Sequence, residues 1–156
     1  MLMLVTGASR GIGAAITEAA AKMGHDVIAV GRNQAALAQQ WQAFANIRCE
    51  AIDVARADEW ERLLARLEQG GQHIDVLINV AGVLHSGPTG QMVPQQVDEM
   101  IDVNVKGTIF GCNAVAPYMI RRGRGHIINI GSTASLFATP GTTVYATSKF
   151  AVRGFS

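Results

Sequence analysis

The chain has 156 residues, 49% hydrophobic and 16% charged, with a formal net charge of +1 and a mean hydropathy of +0.20. That composition fills a hydrophobic core and excludes disorder, and the near-neutral balance gives no reason to expect nucleic acid or an anionic membrane as partner. Cys49 and Cys112 lie far apart without CxxC spacing, and His25, His73, His85 and His126 show no ligand spacing, so neither a disulfide framework nor a metal site is indicated.

A single domain over residues 1–156 is expected from length. Met1 to Val5 is apolar but short and lacks a basic leader, so it reads as a first strand and not as a signal peptide. No apolar run approaches the roughly 20 residues that span a bilayer, and the expectation is a cytoplasmic protein without a membrane partner.

Apolar runs then alternate with helix-period segments, the pattern of stacked βαβ units. Met3 to Val5 is a short buried strand, followed by the turn Thr6-Gly7-Ala8-Ser9-Arg10-Gly11-Ile12-Gly13. An alanine-rich helix runs from Ala14 to Met23 and is capped by Gly24. Val27 to Val30 is the second strand. A helix from Asn33 to Ala45 presents Leu37, Trp41 and Phe44 on one stripe. Ile47 to Ile52 is the third strand, and Asp58 to Gln69 a helix burying Trp60, Leu63, Leu64 and Leu67 before the stop at Gly70-Gly71. Ile74 to Asn79 is a nearly unbroken apolar strand, as expected where helices cover both faces. A looser stretch, Ala81 to Pro94, leads to two helices around Gln95 to Val103 and Val105 to Arg122. His126 to Ile130 is a fifth strand, and a turn-rich segment through Pro140-Gly141 precedes a last helix starting near Val144. Arg121-Arg122-Gly123-Arg124 reads as a solvated helix end. The expected architecture is a Rossmann-type, doubly wound parallel α/β sheet with helices on both faces.

The glycine turn joins a strand to a helix. Such a turn lets the backbone approach a pyrophosphate, and the helix N-terminus adds unpaired N–H groups and partial positive charge. Gly7, Gly11 and Gly13 have GxxxGxG spacing, which differs from the general GxGxxG fingerprint. At the end of the second strand, where a NAD site would carry an acidic residue for the ribose hydroxyls, the chain has Gly31-Arg32. The planar fork of Arg32 suits a 2′-phosphate, with Arg10 as a second cation, so NADP (NADPH) is the expected cofactor.

Tyr145 and Lys149 are four residues apart and share a helix face. A tyrosine at its reference pKa is only about 0.1% phenolate at pH 7, and an ammonium one turn away shifts that balance towards the phenolate. Ser132 follows the fifth strand, at the sheet edge where open α/β folds bind ligands, and its hydroxyl suits polarising a carbonyl or holding an alcohol. Asp53 and Asn79 fall on the same edge, with turn capping as the alternative; helix capping is the alternative for Asn104.

Thr6 to Gly13, Asp53-Val54, Asn79-Val80-Ala81-Gly82, Asn104 to Gly107, Ser132 and Tyr145 to Lys149 occur in the order of the short-chain dehydrogenase/reductase family, which the chain resembles along essentially its whole length. The resemblance implies that Tyr145 is the general acid/base and that Lys149 lowers its pKa and holds the nicotinamide ribose. It implies that Ser132 orients the oxygen of a small carbonyl or alcohol substrate, and that Asn104 holds a water linking Lys149 to solvent. Gly7, Ser9, Arg10, Gly11, Ile12, Gly13, Arg32, Asp53, Val54, Asn79, Ala81 and Gly82, with Tyr145 and Lys149, would form the cofactor site. Val80 stands where many relatives have a second asparagine.

Gly125 to Ala134 is similar to the NADP-dependent 3-hydroxy acid (serine-type) dehydrogenases, and Thr6 to Gly13 equally to the 3-oxoacyl carrier-protein reductases. Relatives continue beyond the Tyr145 helix into a sixth strand, a substrate-covering loop and helix, and a seventh strand, so the fold is expected to be incomplete at its C-terminal end. They commonly dimerise through the two long helices that here hold Val105 to Arg122 and Tyr145, implying a homodimer or homotetramer in full-length form. A non-catalytic dinucleotide-binding module is the alternative for a chain of this length.

Overall fold

The computed structural model describes residues 1–137 and 139–156; Ala138, within the turn-rich stretch expected after the fifth strand, lies outside the described residues. The described strands are β1 (Leu2–Thr6), β2 (Asp26–Gly31), β3 (Ile47–Ala51), β4 (Val76–Asn79) and β5 (His126–Asn129). They form one parallel sheet in the order β3-β2-β1-β4-β5. The helices are α1 (Gly11–Lys22), α2 (Gln34–Trp41), α3 (Ala57–Gln69), α4 (Pro94–Met100), α5 (Gly107–Arg122) and α6 (Thr143–Phe155). The chain winds outward from β1 through β2 to β3, then returns to place β4 and β5 on the other side of β1. The C-terminal ends of β1 and β4 therefore bound a switch-point crevice.

Alternation along each strand divides the core into two layers. Leu4, Ile28, Val30 and Leu77 face Trp60, Leu63 and Leu67 of α3 and Val115 and Met119 of α5. Their neighbours Val5, Val27 and Ile78 face Ala20 and Ala21 of α1, and Ala29 packs with Leu37 and Trp41 of α2. Small residues on α1 let that helix lie close to the sheet. Burial on both faces is why β1, β2 and β4 read as unbroken apolar runs.

Beyond shifts of one or two residues at strand and helix ends, three helix boundaries differ from the sequence expectation. Helix α1 begins at Gly11 and not at Ala14, because Ala14 N donates to Arg10 O and closes the first turn over the glycines, with Gly11 itself at φ +56°. Helix α2 ends at Trp41, four residues before Ala45. Its indole Nε1 donates to Ala8 O at 3.2 Å, and Phe44 meets the ring edge-on at 5.9 Å from a following turn. The apolar stripe is satisfied although the helix has stopped. The two helices expected over Gln95–Val103 and Val105–Arg122 are one continuous rod, joined by a π-helical segment at Ile101–Lys106, where Gly107 N donates to Asp102 O five residues back. The wider turn carries Asn104 into the interior, fully buried. No helix among the described residues is long and apolar enough to cross a membrane.

Candidate active site

A cavity of about 370 Å3 opens at the switch-point edge of the sheet. Its floor is the β1–α1 turn. Gly7 sits at φ +68°, in the left-handed region, and an added Cβ there would lie 2.9 Å from Ala81 Cα. A Cβ on Gly13 would lie within the radius of Gly7 O, so the first turn of α1 presses directly on the glycine turn. Arg10 precedes the helix without capping it through its side chain, and Gly11, Ile12 and Gly13 of the uncapped first turn line the cavity. Thr6 completes the floor: its buried hydroxyl oxygen accepts from Val80 N at 2.9 Å and Ala81 N at 3.0 Å, pinning the chain after β4 to the end of β1.

Arg32 and Gly31, from the end of β2, form one wall with Asp53 and Val54 after β3. Asp53 Oδ1 also accepts from Ala55 N at 3.0 Å, so the turn-capping alternative operates alongside its place at the cavity. Across the cleft, Ala81, Gly82, Val83 and Leu84 form the opposite wall, and Tyr145 and Lys149 of α6 close the far end.

Lys149 is 5% exposed and donates from Nζ to Ile130 O at 2.8 Å. Its Nζ lies 6.0 Å from the centre of the Tyr145 ring, so phenol and ammonium converge on one wall as their spacing predicts. Burial pushes the Lys149 ammonium below its ordinary pKa, because the charged form loses hydration there. Glycine at position 82 keeps this corner open: a Cβ there would stand 3.3 Å from Asn104 Oδ1 and 3.7 Å from Lys149 Nζ.

Asn104 is engaged by the protein on every side. Its Nδ2 donates to Val83 O and to Ser148 Oγ, both at 2.9 Å, and its Oδ1 accepts from Val83 N at 2.8 Å. Ser148 Oγ in turn donates to Tyr145 O at 2.7 Å. The residue expected to hold a water thus ties the loop after β4 to the helix of Tyr145. Asn79 also stands outside the cavity lining: its Nδ2 donates to Asn129 Oδ1 at 2.9 Å and approaches Cys112 Sγ at 3.4 Å. Its Oδ1 is buried without a partner, 2.8 Å from where a Cβ on Gly111 would sit. Ser132 Oγ accepts from Ala134 N at 3.1 Å at the start of a 3-10 turn, Thr133–Ser135. Its neighbours Ile130 and Gly131 line the cavity, and its own O–H remains available to donate.

Gly7, Ser9, Arg10, Gly11, Ile12 and Gly13 thus share one cavity with Arg32, Asp53, Val54, Ala81, Gly82, Tyr145 and Lys149, whereas Asn79, Asn104 and Ser132 stand behind or beside it. Sequence reasoning gave no part to Thr6, although it stands first in the turn motif, nor to Ser148, whose partner Asn104 is distant in sequence. No group of three or more His, Cys, Asp or Glu side chains among the described residues is arranged for a metal ion.

A glycine cradle at a helix N-terminus, two arginines and the half-buried Tyr145 beside the buried Lys149 thus line one cavity. The chain is 40% identical to the NADP-dependent 3-hydroxy acid dehydrogenase of Escherichia coli strain K12, over 100% of its own length and 64% of that protein's. Its fold superposes on a crystal structure of serine dehydrogenase from Escherichia coli with a TM-score of 0.96 at 39% identity, covering 100% of this chain and 73% of that one. A closed form of serine dehydrogenase complexed with NADP+ gives 0.95 at 39% identity, covering 100% and 64%. The chain thus spans about 64% of the length of the 3-hydroxy acid dehydrogenases it matches. The family described as short chain dehydrogenase matches residues 1–156, and the chain belongs to that family.

Proposed function

We propose that the protein is an NADP-dependent oxidoreductase acting on a small hydroxy or keto substrate of the 3-hydroxy acid class, with Tyr145 as general acid/base. The observation that carries this reading is the buried Lys149 ammonium held beside Tyr145 at the end of a cavity that begins at the glycine turn and Arg32. The fit to a dinucleotide rests on the same geometry: side chains at Gly7 or Gly13 would fill the cradle, and the N–H groups of α1 and the guanidinium groups of Arg10 and Arg32 suit phosphate oxygens. NADP(H) bound there supplies or accepts the hydride.

The chain's own residues manage the proton. In the reducing direction the Tyr145 phenol donates to the substrate oxygen as it gains negative charge, and in oxidation the phenolate removes that proton. Lys149, held by Ile130 O, keeps its charge beside the Tyr145 ring at the end of the cavity. Ser132 orients the substrate oxygen through its free O–H. Asn104 is a positioning residue: by bonding Val83 and Ser148 it fixes the separation of the cofactor loop from the Tyr145 turn.

Fluorescence titration with NADPH, followed by assays of NADP-dependent oxidation of serine, 3-hydroxypropionate and 3-hydroxybutyrate in the full-length protein, tests the reading. Saturable NADPH binding with turnover of one of these is expected. Turnover confined to 3-oxoacyl thioesters would move the substrate class to the carrier-protein reductases. Tight NADPH binding without oxidation of any alcohol would leave a dinucleotide-binding module.

A further inference from the structure

Glu99 has no part in the reading above, yet it touches the residue that would select the cofactor. It projects from α4, on the opposite side of the cleft from Arg32, and its two carboxylate oxygens serve different partners. Oε2 lies 2.8 Å from His85 Nε2, and Oε1 lies 3.5 Å from Arg32 Nη1. Its neighbours place it at the cavity rim: Leu84, beside His85, and Val103, a turn beyond Glu99, both line the cavity. The three side chains come from the end of β2, the loop after β4 and α4, so the trio bridges the mouth of the adenosine end from wall to wall.

The two contacts differ in strength. The His85 contact is short and both groups are about one-third exposed, whereas the Arg32 pair is long and the guanidinium is 64% exposed. His85 therefore anchors the carboxylate, and Arg32 is the partner free to leave. A phosphate dianion offers more charge and bidentate acceptors to the guanidinium than this one distant carboxylate oxygen does. A carboxylate that remains in place beside the arriving phosphate also repels it.

We infer that Glu99 is a specificity-determining residue that competes with the cofactor 2′-phosphate for Arg32 and so limits the preference for NADPH over NADH. The inference rests on the NADP reading proposed above. With Arg32 held by Glu99 in the empty cleft, only the fraction of molecules with a released guanidinium is ready for the phosphate, and apparent affinity falls by that fraction. NADH carries a neutral 2′-hydroxyl in place of that phosphate, so it brings no charge to compete with Glu99 for Arg32 and depends on Glu99 far less.

The test is fluorescence titration of the unmutated protein, Glu99→Gln, Arg32→Ala and the double variant with NADPH and with NADH. Glu99→Gln keeps the shape at a position about one-third exposed, and its amide can still bond His85. The expected result is NADPH binding about three- to tenfold tighter in Glu99→Gln, with NADH changed less than twofold. In the Arg32→Ala background the residual gain from Glu99→Gln shrinks, because the competed-for partner is gone. Equal NADPH affinity with and without Glu99→Gln would overturn the inference while leaving the NADP reading intact. Weaker NADPH binding in Glu99→Gln would overturn it too, showing that the carboxylate holds Arg32 in place for the phosphate. Absence of NADPH binding to the unmutated protein would remove both the inference and the reading beneath it.

Discussion

The two flanks of the sheet hold their parts of the cleft by different means. On the first flank, β2 is buried from Val27 to Val30 and sits between two paired neighbours, and the cavity wall it ends in is fixed by an apolar core. On the other flank, β5 pairs with β4 and leads into the wall formed by Ile130, Tyr145 and Lys149. The wall at that end is held by directional bonds: Lys149 to Ile130 O, Asn104 to Ser148, and Ser148 to Tyr145 O. The difference teaches where each kind of damage should register. Changes on the β2 side act on cofactor affinity, and changes on the α6 side act on turnover and on local stability.

The largest effect is expected at Lys149. Lys149→Met removes the charge beside Tyr145, and kcat of the full-length protein should fall by about a thousandfold or more in an NADPH absorbance assay. Next is Asn104→Ala, which leaves Val83 N, Val83 O and Ser148 Oγ without their partner in the interior. Urea unfolding should show a loss of about 2–4 kcal/mol. A loss below about 0.5 kcal/mol would mean that the polar bonds on this flank contribute little. Smaller again is Arg32→Ala, for which NADPH affinity should fall about ten- to thirtyfold while NADH affinity barely changes, measured by fluorescence titration.

The smallest expected effect is one of pH. Burial lowers the Lys149 pKa in the folded state, so between that value and the ordinary lysine value the unfolded chain binds more protons than the native one. Stability attributable to this residue therefore rises with pH through that window. Urea unfolding of the unmutated protein and Lys149→Met from neutral pH to pH 10 should show the unmutated protein gaining relative to the variant.

The same contrast explains what was legible in the sequence. Strands β1, β2 and β4 announce themselves because both faces are covered, and the helices of the first flank carry plain apolar stripes, as in Trp60, Leu63, Leu64 and Leu67. The glycine turn, Arg32 and the Tyr145–Lys149 pair were readable because turn geometry and helix periodicity are local. Asn104 resisted for the opposite reason. Its role depends on a π-helical turn, which leaves no periodic mark in six residues, and on partners 21 and 44 positions away. Asn79 looked like a ligand-edge residue from its place at the end of β4, but tight packing at Gly111 and a bond to Asn129 engage it behind the cleft. Glu99 gave no local sign at all, since its partner Arg32 lies just past the end of β2, far away in sequence.

Tyr145→Phe in the full-length protein, with NADPH binding and single-turnover carbonyl reduction measured on the same preparation, tests the central claim most directly. The phenol hydroxyl is proposed to deliver the proton while contributing little to holding the dinucleotide, so NADPH affinity should stay within about twofold and the rate of reduction should fall at least about a hundredfold. A rate within a fewfold of the unmutated protein's, with the cofactor still bound, would contradict the account.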